Sequence, residues 1–163
     1  MTQTDDLLQN ARAYEREGHD AGAATMPSRR VAVLACMDAR LNPYAVLGLR
    51  EGDAHIIRNA GGVVTDDAIR SLAISQSALG TEEVVLIQHT GCGLLGITDA
   101  ELADRIEAES GTRPEGSLHA FTDLDESVRG GLERLRSSPV LPRRDSVRGF
   151  VFEVESGRLR EVT

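Results

Sequence analysis

Apolar residues follow two alternating patterns along the chain: short continuous runs, and longer stretches with apolar positions three or four residues apart. The continuous, β-branched runs predict buried strands, and the helically spaced stretches predict amphipathic helices. The predicted strands cover 30–35, 54–58, 83–88 and 147–154, with a possible hairpin return at 158–162. The predicted helices cover 5–14, 65–79, 98–111 and 124–135, with at most a short one at 43–47.

Capping residues mark where several of these helices begin. Thr4 is the expected N-cap of the first helix, and Thr65 caps the helix whose apolar face ends at Leu79. The stretch Thr98-Asp-Ala-Glu101 is a capping box, and the helix after it is expected to turn Ile106 and its apolar neighbours inward.

Strands that alternate with helices predict an α/β fold. We expect a mainly parallel four-stranded sheet of order 2-1-3-4, flanked by helices, with a C-terminal hairpin strand. The length favours a single domain over 1–163. Within it, residues 1–28 read as an N-terminal helical arm and tether, and residues 29–163 as the α/β core.

The overall charge and hydropathy exclude several classes of protein. The net charge of −8 argues against a nucleic-acid partner, because an acidic surface repels phosphates. No apolar run approaches the roughly 18 residues of a membrane span, so no membrane partner is expected. The acidic N-terminus does not resemble a signal peptide, and a cytoplasmic location is predicted.

The candidate chemistry lies at the ends of two predicted strands. Cys36 ends the first, and His89-Thr-Gly-Cys92 follows the third. In a parallel sheet of this order, the two strand ends meet where ligands usually bind. Two thiolates and an imidazole suit a zinc ion and leave a fourth position for chemistry. On spacing alone, two inert buried cysteines and a core histidine remain an open alternative.

Asp38 and Arg40 favour the metal interpretation. On an extended segment, residues 36, 38 and 40 point to the same side. A carboxylate two residues from a ligand can reach the metal, and the arginine can hold that carboxylate in a bidentate pair. The alternative is an ordinary surface ion pair.

A glycine pattern imitates a nucleotide-binding site. Gly91, Gly93 and Gly96 match the G-x-G-x-x-G fingerprint and follow a strand. That strand is the third, the next helix is capped only at Thr98, and no acidic strand end lies about 20 residues further on. A nucleotide site is therefore not expected.

The motif Cys36-Met-Asp-Ala-Arg40, together with His89-Thr-Gly-Cys-Gly93, resembles the β-class carbonic anhydrases. The likeness extends through Arg58-Asn-Ala-Gly-Gly62 and the helix after Thr65, and the chain resembles the short bacterial form of the class. It implies one Zn²⁺ per chain bound by Cys36, His89 and Cys92. The family's Asp–Arg dyad is matched by Asp38 and Arg40.

The resemblance also implies an assembly and a reaction. The family forms homodimers or larger assemblies, with an N-terminal helical arm over the partner. Its members hydrate carbon dioxide reversibly to bicarbonate and a proton by attack of zinc-bound hydroxide. Asp38 would be a fourth metal ligand when it displaces that hydroxide. Some members bind bicarbonate at a regulatory site built partly on tryptophan, which this chain lacks.

Two other functions remain open from the residues. The same zinc site could hydrolyse carbon disulfide or carbonyl sulfide. Alternatively, Asp38 could be a permanent fourth ligand in a non-catalytic zinc-binding protein. A proton relay, if the chain supplies one, has His19, His55 and His119 as candidates by residue type alone.

Overall fold

The computed structural model describes residues 2–17, 22 and 24–163. Five helices and five strands are described, and a single 3-10 turn at Ala60–Gly62 follows the second strand. The helices are α1 (Gln3–Glu17), α2 (Pro43–Leu47), α3 (Asp66–Ser77), α4 (Asp99–Ser110) and α5 (Leu124–Ser137). The strands are β1 (Val31–Cys36), β2 (Ala54–Asn59), β3 (Glu83–His89), β4 (Val147–Glu153) and β5 (Arg158–Val162).

The strands form one sheet of order β2-β1-β3-β4-β5. The pairings of β1 with β2, β1 with β3 and β3 with β4 are parallel, and β5 returns antiparallel beside β4. The predicted α/β fold, the 2-1-3-4 order and the C-terminal hairpin strand are therefore confirmed. In the register of β1 and β3, Ala35 lies beside Ile87, which brings Cys36 and His89 to the same edge.

Two apolar clusters cover the two faces of the sheet. One joins Leu34 and Leu86 to the inner faces of α3 and α5. The other lies on the opposite face and includes Val33, Ile87 and Cys36. Burial on both faces explains why the strands read as continuous apolar runs rather than alternating ones.

Three local predictions were wrong. α1 begins before Thr4, because the Asp5 amide donates to Thr2 Oγ1 and the Thr2 amide donates to Asp5 Oδ2. α3 ends at Ser77, before Leu79, and Gly80 follows in the left-handed region. Ile106 is 38% exposed, because α4 packs loosely and buries only Ala103. None of the described helices is long and apolar enough to cross a membrane.

The two adjacent glycines of α5 have opposite surroundings. A Cβ added to Gly130 would meet nothing within 4 Å. A Cβ added to Gly131 would lie 2.8 Å from Leu86 Cδ2 and 3.2 Å from Val64 Cγ2, both in the core. Gly131 therefore allows α5 to approach the sheet, and Gly130 only weakens the helix.

We predict opposite effects of alanine at these two positions. Gly130→Ala should raise the free energy of unfolding by about 0.5–1 kcal/mol, because alanine loses less backbone entropy in a helix. Gly131→Ala should be about 1–3 kcal/mol less stable than Gly130→Ala, because its methyl group overpacks the core. Urea unfolding of both variants measures the difference. Equal stabilities would contradict the close packing of α5 on β3.

Candidate metal centre

Three metal-binding side chains meet at the carboxyl edge of the sheet. Cys36 is the last residue of β1, His89 is the last residue of β3, and Cys92 lies on the loop after it. Their donor atoms all lie within 4.8 Å of one another, and all three residues are buried. The structure thus brings together the three residues that the sequence analysis linked only through their motifs.

The imidazole of His89 is oriented with one nitrogen free. Its Nδ1 lies 2.9 Å from the Thr90 carbonyl oxygen and donates to it. Its Nε2 is buried and has no hydrogen-bond partner. The carbonyl fixes the tautomer with the proton on Nδ1, so the lone pair of Nε2 is available to a metal. This is the usual arrangement of a metal-binding histidine. Donors bonded to one zinc ion at about 2.0–2.3 Å lie a little under 4 Å apart, which the cluster accommodates.

The two thiols differ in acidity because each lies beside the other. The neighbouring Cys92 thiol lowers the pKa of Cys36, and His89 adds to this effect. The same contact with Cys36 raises the pKa of Cys92, as does its burial. The two sulfurs thus compete for one proton, and neither cysteine is in a disulfide. A divalent cation would replace that proton and allow both cysteines to be thiolates.

Asp38 and Arg40 form a close ion pair at the edge of the cluster. Asp38 Oδ1 accepts from the Arg40 amide and from Nε, each at 2.9 Å, and Oδ2 accepts from Nη2 at 2.8 Å. The side-chain hydrogen bonds of Arg40 hold the pKa of Asp38 well below its usual range. Arg40 Nη2 also donates to the Gly91 carbonyl oxygen, which ties the pair to the loop of Cys92.

The prediction of an extended segment after Cys36 was wrong, although the ion pair that it suggested, between Asp38 and Arg40, is present. The chain turns at Asp38, where the Leu41 amide donates to the Asp38 carbonyl oxygen. The Asp38 carboxylate also accepts from the amide of Arg40, two residues ahead, as in an Asx turn. Asp38 Oδ2 lies 3.6 Å from His89 Nε2. In this structure the carboxylate lies on Arg40, beside the donor cluster.

Arg58 is a site residue that the sequence reasoning did not identify. Its guanidinium donates to the carbonyl oxygens of Cys36, Asp38 and Leu41, at 2.8–3.0 Å. It thereby fixes the turn that contains the first thiol and the dyad. The only feature of the sequence that pointed to Arg58 was its position as a cation near the end of β2, beside β1. Its backbone partners could not be predicted without the turn at Asp38.

Gly62 is required where the turn after β2 meets the two strand ends. Its φ is +60°, and a Cβ there would lie 2.6 Å from the Cys36 amide nitrogen and 2.7 Å from the Ile87 carbonyl oxygen. Asn59 closes this turn, accepting from the Val63 amide and donating to the Val63 carbonyl oxygen. Close backbone approach therefore keeps the turn against β1 and β3.

A cavity of about 300 Å³ opens beside the two cysteines. Apart from the ligand residues and Asp38, its lining is small or apolar. The lining residues are Cys36, Met37, Asp38, Ala60, Gly61, Cys92, Gly93 and Leu94. Such a pocket suits a small substrate of low polarity.

Of the candidate relay histidines, the two that the structure describes, His55 and His119, do not line this cavity. His55 bonds the Ser75 hydroxyl through Nδ1 at 2.7 Å. His119 lies in a neighbouring pocket beside α5. His19 lies outside the described residues. The glycines 91, 93 and 96 belong to the loop of Cys92, and the next helix begins only at Asp99, so the nucleotide interpretation has no structural support.

Comparisons with known proteins agree with this fold and donor set. The carbonic anhydrase family model matches residues 31–113. The chain is 50% identical to β-carbonic anhydrase 1 of Mycobacterium tuberculosis, over 100% of this chain and 99% of the relative. It is 38% identical to a carbon disulfide hydrolase of an Acidianus species, over 82% of this chain and 78% of the relative.

A solved structure gives the same result in three dimensions. The crystal structure of a carbonic anhydrase from Streptococcus mutans superposes with a TM-score of 0.94 at 41% identity, over 100% of this chain and 99% of that one. An α/β sheet of this order with a buried Cys–His–Cys cluster at its carboxyl edge is the architecture of the β class. The chain belongs to the β-carbonic anhydrase family.

Proposed function

We propose that this protein catalyses the reversible hydration of carbon dioxide to bicarbonate and a proton with one zinc ion. Cys36, His89 and Cys92 would hold the ion, and Asp38 and Arg40 would be the catalytic pair. The observation that supports this best is the buried two-sulfur, one-nitrogen cluster, whose His89 Nε2 has no other partner. Zinc in such a site lowers the pKa of bound water, which supplies hydroxide near neutral pH.

Asp38 has the protonation state and position of a hydrogen-bond acceptor. Because Arg40 depresses its pKa, Asp38 is ionised at neutral pH and cannot serve as a general acid. Its Oδ2 has one bond from Arg40 and faces the cluster, so it retains a lone pair for the hydrogen of an attacking oxygen. Arg40 holds the carboxylate in this orientation with three bonds.

The cavity fits carbon dioxide by its low polarity. Ala60, Gly61 and Leu94 offer this linear molecule an apolar surface beside the cysteines. Asp38 lies in the same lining, so a substrate there would be within reach of an oxygen that Asp38 orients. The loss of a proton to solvent completes the hydration.

Hydrolysis of carbon disulfide is the second candidate, because relatives with that name are 35–38% identical to this chain. The non-catalytic alternative, with Asp38 as a permanent ligand, receives less support, because Asp38 is paired with Arg40. Stopped-flow assays of the zinc-loaded protein with carbon dioxide and with carbon disulfide separate the candidates. Activity on carbon disulfide alone would reject the proposed reaction, and activity on neither would support the non-catalytic alternative.

Replacement of Cys92 tests the ligand set. Cys92→Ser should lose zinc and carbon dioxide hydration together, because a hydroxyl does not replace a thiolate as a ligand. The wild type should hold about one zinc per chain by elemental analysis. Gly93→Ala is a matched control for zinc content on the same loop, because a Cβ there meets nothing within 4 Å. Full zinc occupancy in Cys92→Ser would remove this residue from the ligand set.

Replacement of Arg40 tests the catalytic pair through the pH profile. Hydration should rise with pH in the wild type, because hydroxide is the nucleophile. In Arg40→Ala the Asp38 carboxylate loses its partner and can turn toward the ligands, 3.6 Å from His89 Nε2. The rise should then move to higher pH, where hydroxide displaces the carboxylate, and the plateau should fall about 10–100-fold.

The zinc content of Arg40→Ala should stay at wild-type level, because all three ligands remain. Asp38→Ala should also retain zinc, yet lose rate because the attacking oxygen is no longer oriented. Arg148→Ala is a control, since Arg148 pairs with Glu161 on the far strands β4 and β5. A profile of Arg40→Ala that superimposes on the wild type would refute the role of the pair.

We also propose that the protein is a homodimer or larger assembly, with α1 lying on a partner subunit. The exposed fractions of Leu7 and Leu8 on this helix are 66% and 53%, which is high for large apolar side chains. Deletion of residues 1–25 should weaken or dissolve the assembly in analytical ultracentrifugation. A wild-type protein that sediments as a monomer at micromolar concentration would contradict the proposal.

A further inference from the structure

A single carboxylate holds a segment that is distant in sequence from both metal-binding motifs. Asp99, the first residue of α4, accepts from the Ser117 hydroxyl at 2.6 Å and from the Leu118 amide at 2.9 Å through Oδ2. Its Oδ1 accepts from the Ala120 amide at 2.7 Å. We call residues 117–121 the strap. These bonds lower the pKa of Asp99, so the acceptor is ionised at neutral pH.

The strap contains a strained residue between its anchor points. His119 has a φ of +60°, in the left-handed region that residues other than glycine rarely adopt. Such a conformation persists only where the surroundings over-determine it. Here the amides on either side of His119 both donate to Asp99, and the His119 amide donates to Ser117 Oγ.

The strap is bonded to the loop that contains Cys92. The Phe121 amide donates to the Leu94 carbonyl oxygen, and the Gly96 amide donates to the Phe121 carbonyl oxygen, at 3.0 and 2.9 Å. The Leu95 amide donates to the Cys92 carbonyl oxygen. A continuous series of hydrogen bonds and short chain segments therefore joins Asp99 to the loop after β3.

The same contacts support one wall of the cavity. A Cβ on Gly61 would lie 2.8 Å from Leu94 Cδ1 and 3.4 Å from Phe121 Cε1, so both side chains pack on the Gly61 backbone. Gly61 and Leu94 line the cavity beside the cysteines, whereas Phe121 lines the neighbouring pocket. Phe121 therefore supports the cavity from behind, where it packs with Leu94 on Gly61.

We propose that Asp99 is a positioning residue for carbon dioxide hydration. It fixes the strap, and the strap holds Leu94 against the cavity where the substrate lies. This inference rests on the proposed function. Asp99 touches neither the metal ligands nor the substrate, so its loss should impair how the substrate is held and leave zinc binding intact.

The test compares Asp99→Asn with Glu101→Gln. An asparagine amide presents a donor to a site that already contains three donors, so the strap should loosen. KM for carbon dioxide should then rise on the order of tenfold, with kcat nearly unchanged and about one zinc per chain. Glu101→Gln removes a charge from the same helical turn but retains an acceptor for its bonds to Thr98, and its kinetics should match the wild type.

Amide hydrogen exchange gives a second readout that needs no activity. Exchange at Leu118, Ala120, Phe121 and Gly96 should quicken at least about tenfold in Asp99→Asn, while amides of β1 stay protected. Ser117→Ala removes one of the three bonds to Asp99, together with the bond from the His119 amide, without changing α4. It should give smaller changes of the same kind. It keeps the test valid if Asp99→Asn fails to fold.

Two results would overturn this proposal and leave the proposed function standing. One is a wild-type KM and unchanged strap exchange in Ser117→Ala and in folded Asp99→Asn. The other is an equal rise in KM in Glu101→Gln, which would assign the effect to the charge of α4. A wild type that hydrates no carbon dioxide would overturn the proposed function, and this inference with it.

Discussion

The parallel pairing of β1 with β3 is the constraint on which the site depends. Cys36 and His89 are distant in sequence, and only this register brings them to one edge. The pairing is buried on both faces, by α3 and α5 on one and by the cluster around Ile87 on the other. A slip of one residue would move every side chain of a strand from its own apolar cluster to the cluster on the other face, so core packing and ligand placement are fixed by the same interaction.

Close backbone approach extends this constraint to the loops. Gly62 lies against the Cys36 amide and the Ile87 carbonyl oxygen, at distances that no side chain would tolerate. Arg58 then gathers the carbonyl oxygens of the turn after β1, and Arg40 joins that turn to Gly91. The donor cluster is thus framed by backbone contacts and arginines. A two-sulfur, one-nitrogen site of this kind is preorganised for a cation.

Periodicity and local spacing allowed the strand ends and the pairing of Asp38 with Arg40 to be predicted. The sheet order was expected for another reason, because the order 2-1-3-4 brings the two motifs to the same edge. The geometry predicted for residues 36–40 was wrong, since the turn at Asp38 forms through a local side-chain bond that competes with extension. Arg58 and Asp99 were missed for a different reason. Their partners are backbone groups of distant segments, and no pattern of residue types marks a backbone acceptor or donor. Ile106 was misplaced because helical spacing does not reveal how closely a helix packs.

The low polarity of carbon dioxide explains why residues that bind the backbone of distant segments, such as Asp99, matter for the site. The molecule has no net dipole and forms weak hydrogen bonds, so a cavity must position it mainly by shape. An apolar wall cannot be held from the inside by polar contacts with such a substrate. The wall must therefore be fixed by contacts on the side away from the cavity. Here those contacts are the hydrogen bonds between the amides of the strap and the Asp99 carboxylate. A buried donor cluster and the half-buried carboxylate of Asp99 would then serve the same reaction at different distances. The cluster activates the nucleophile, and Asp99 shapes the cavity that holds the carbon dioxide.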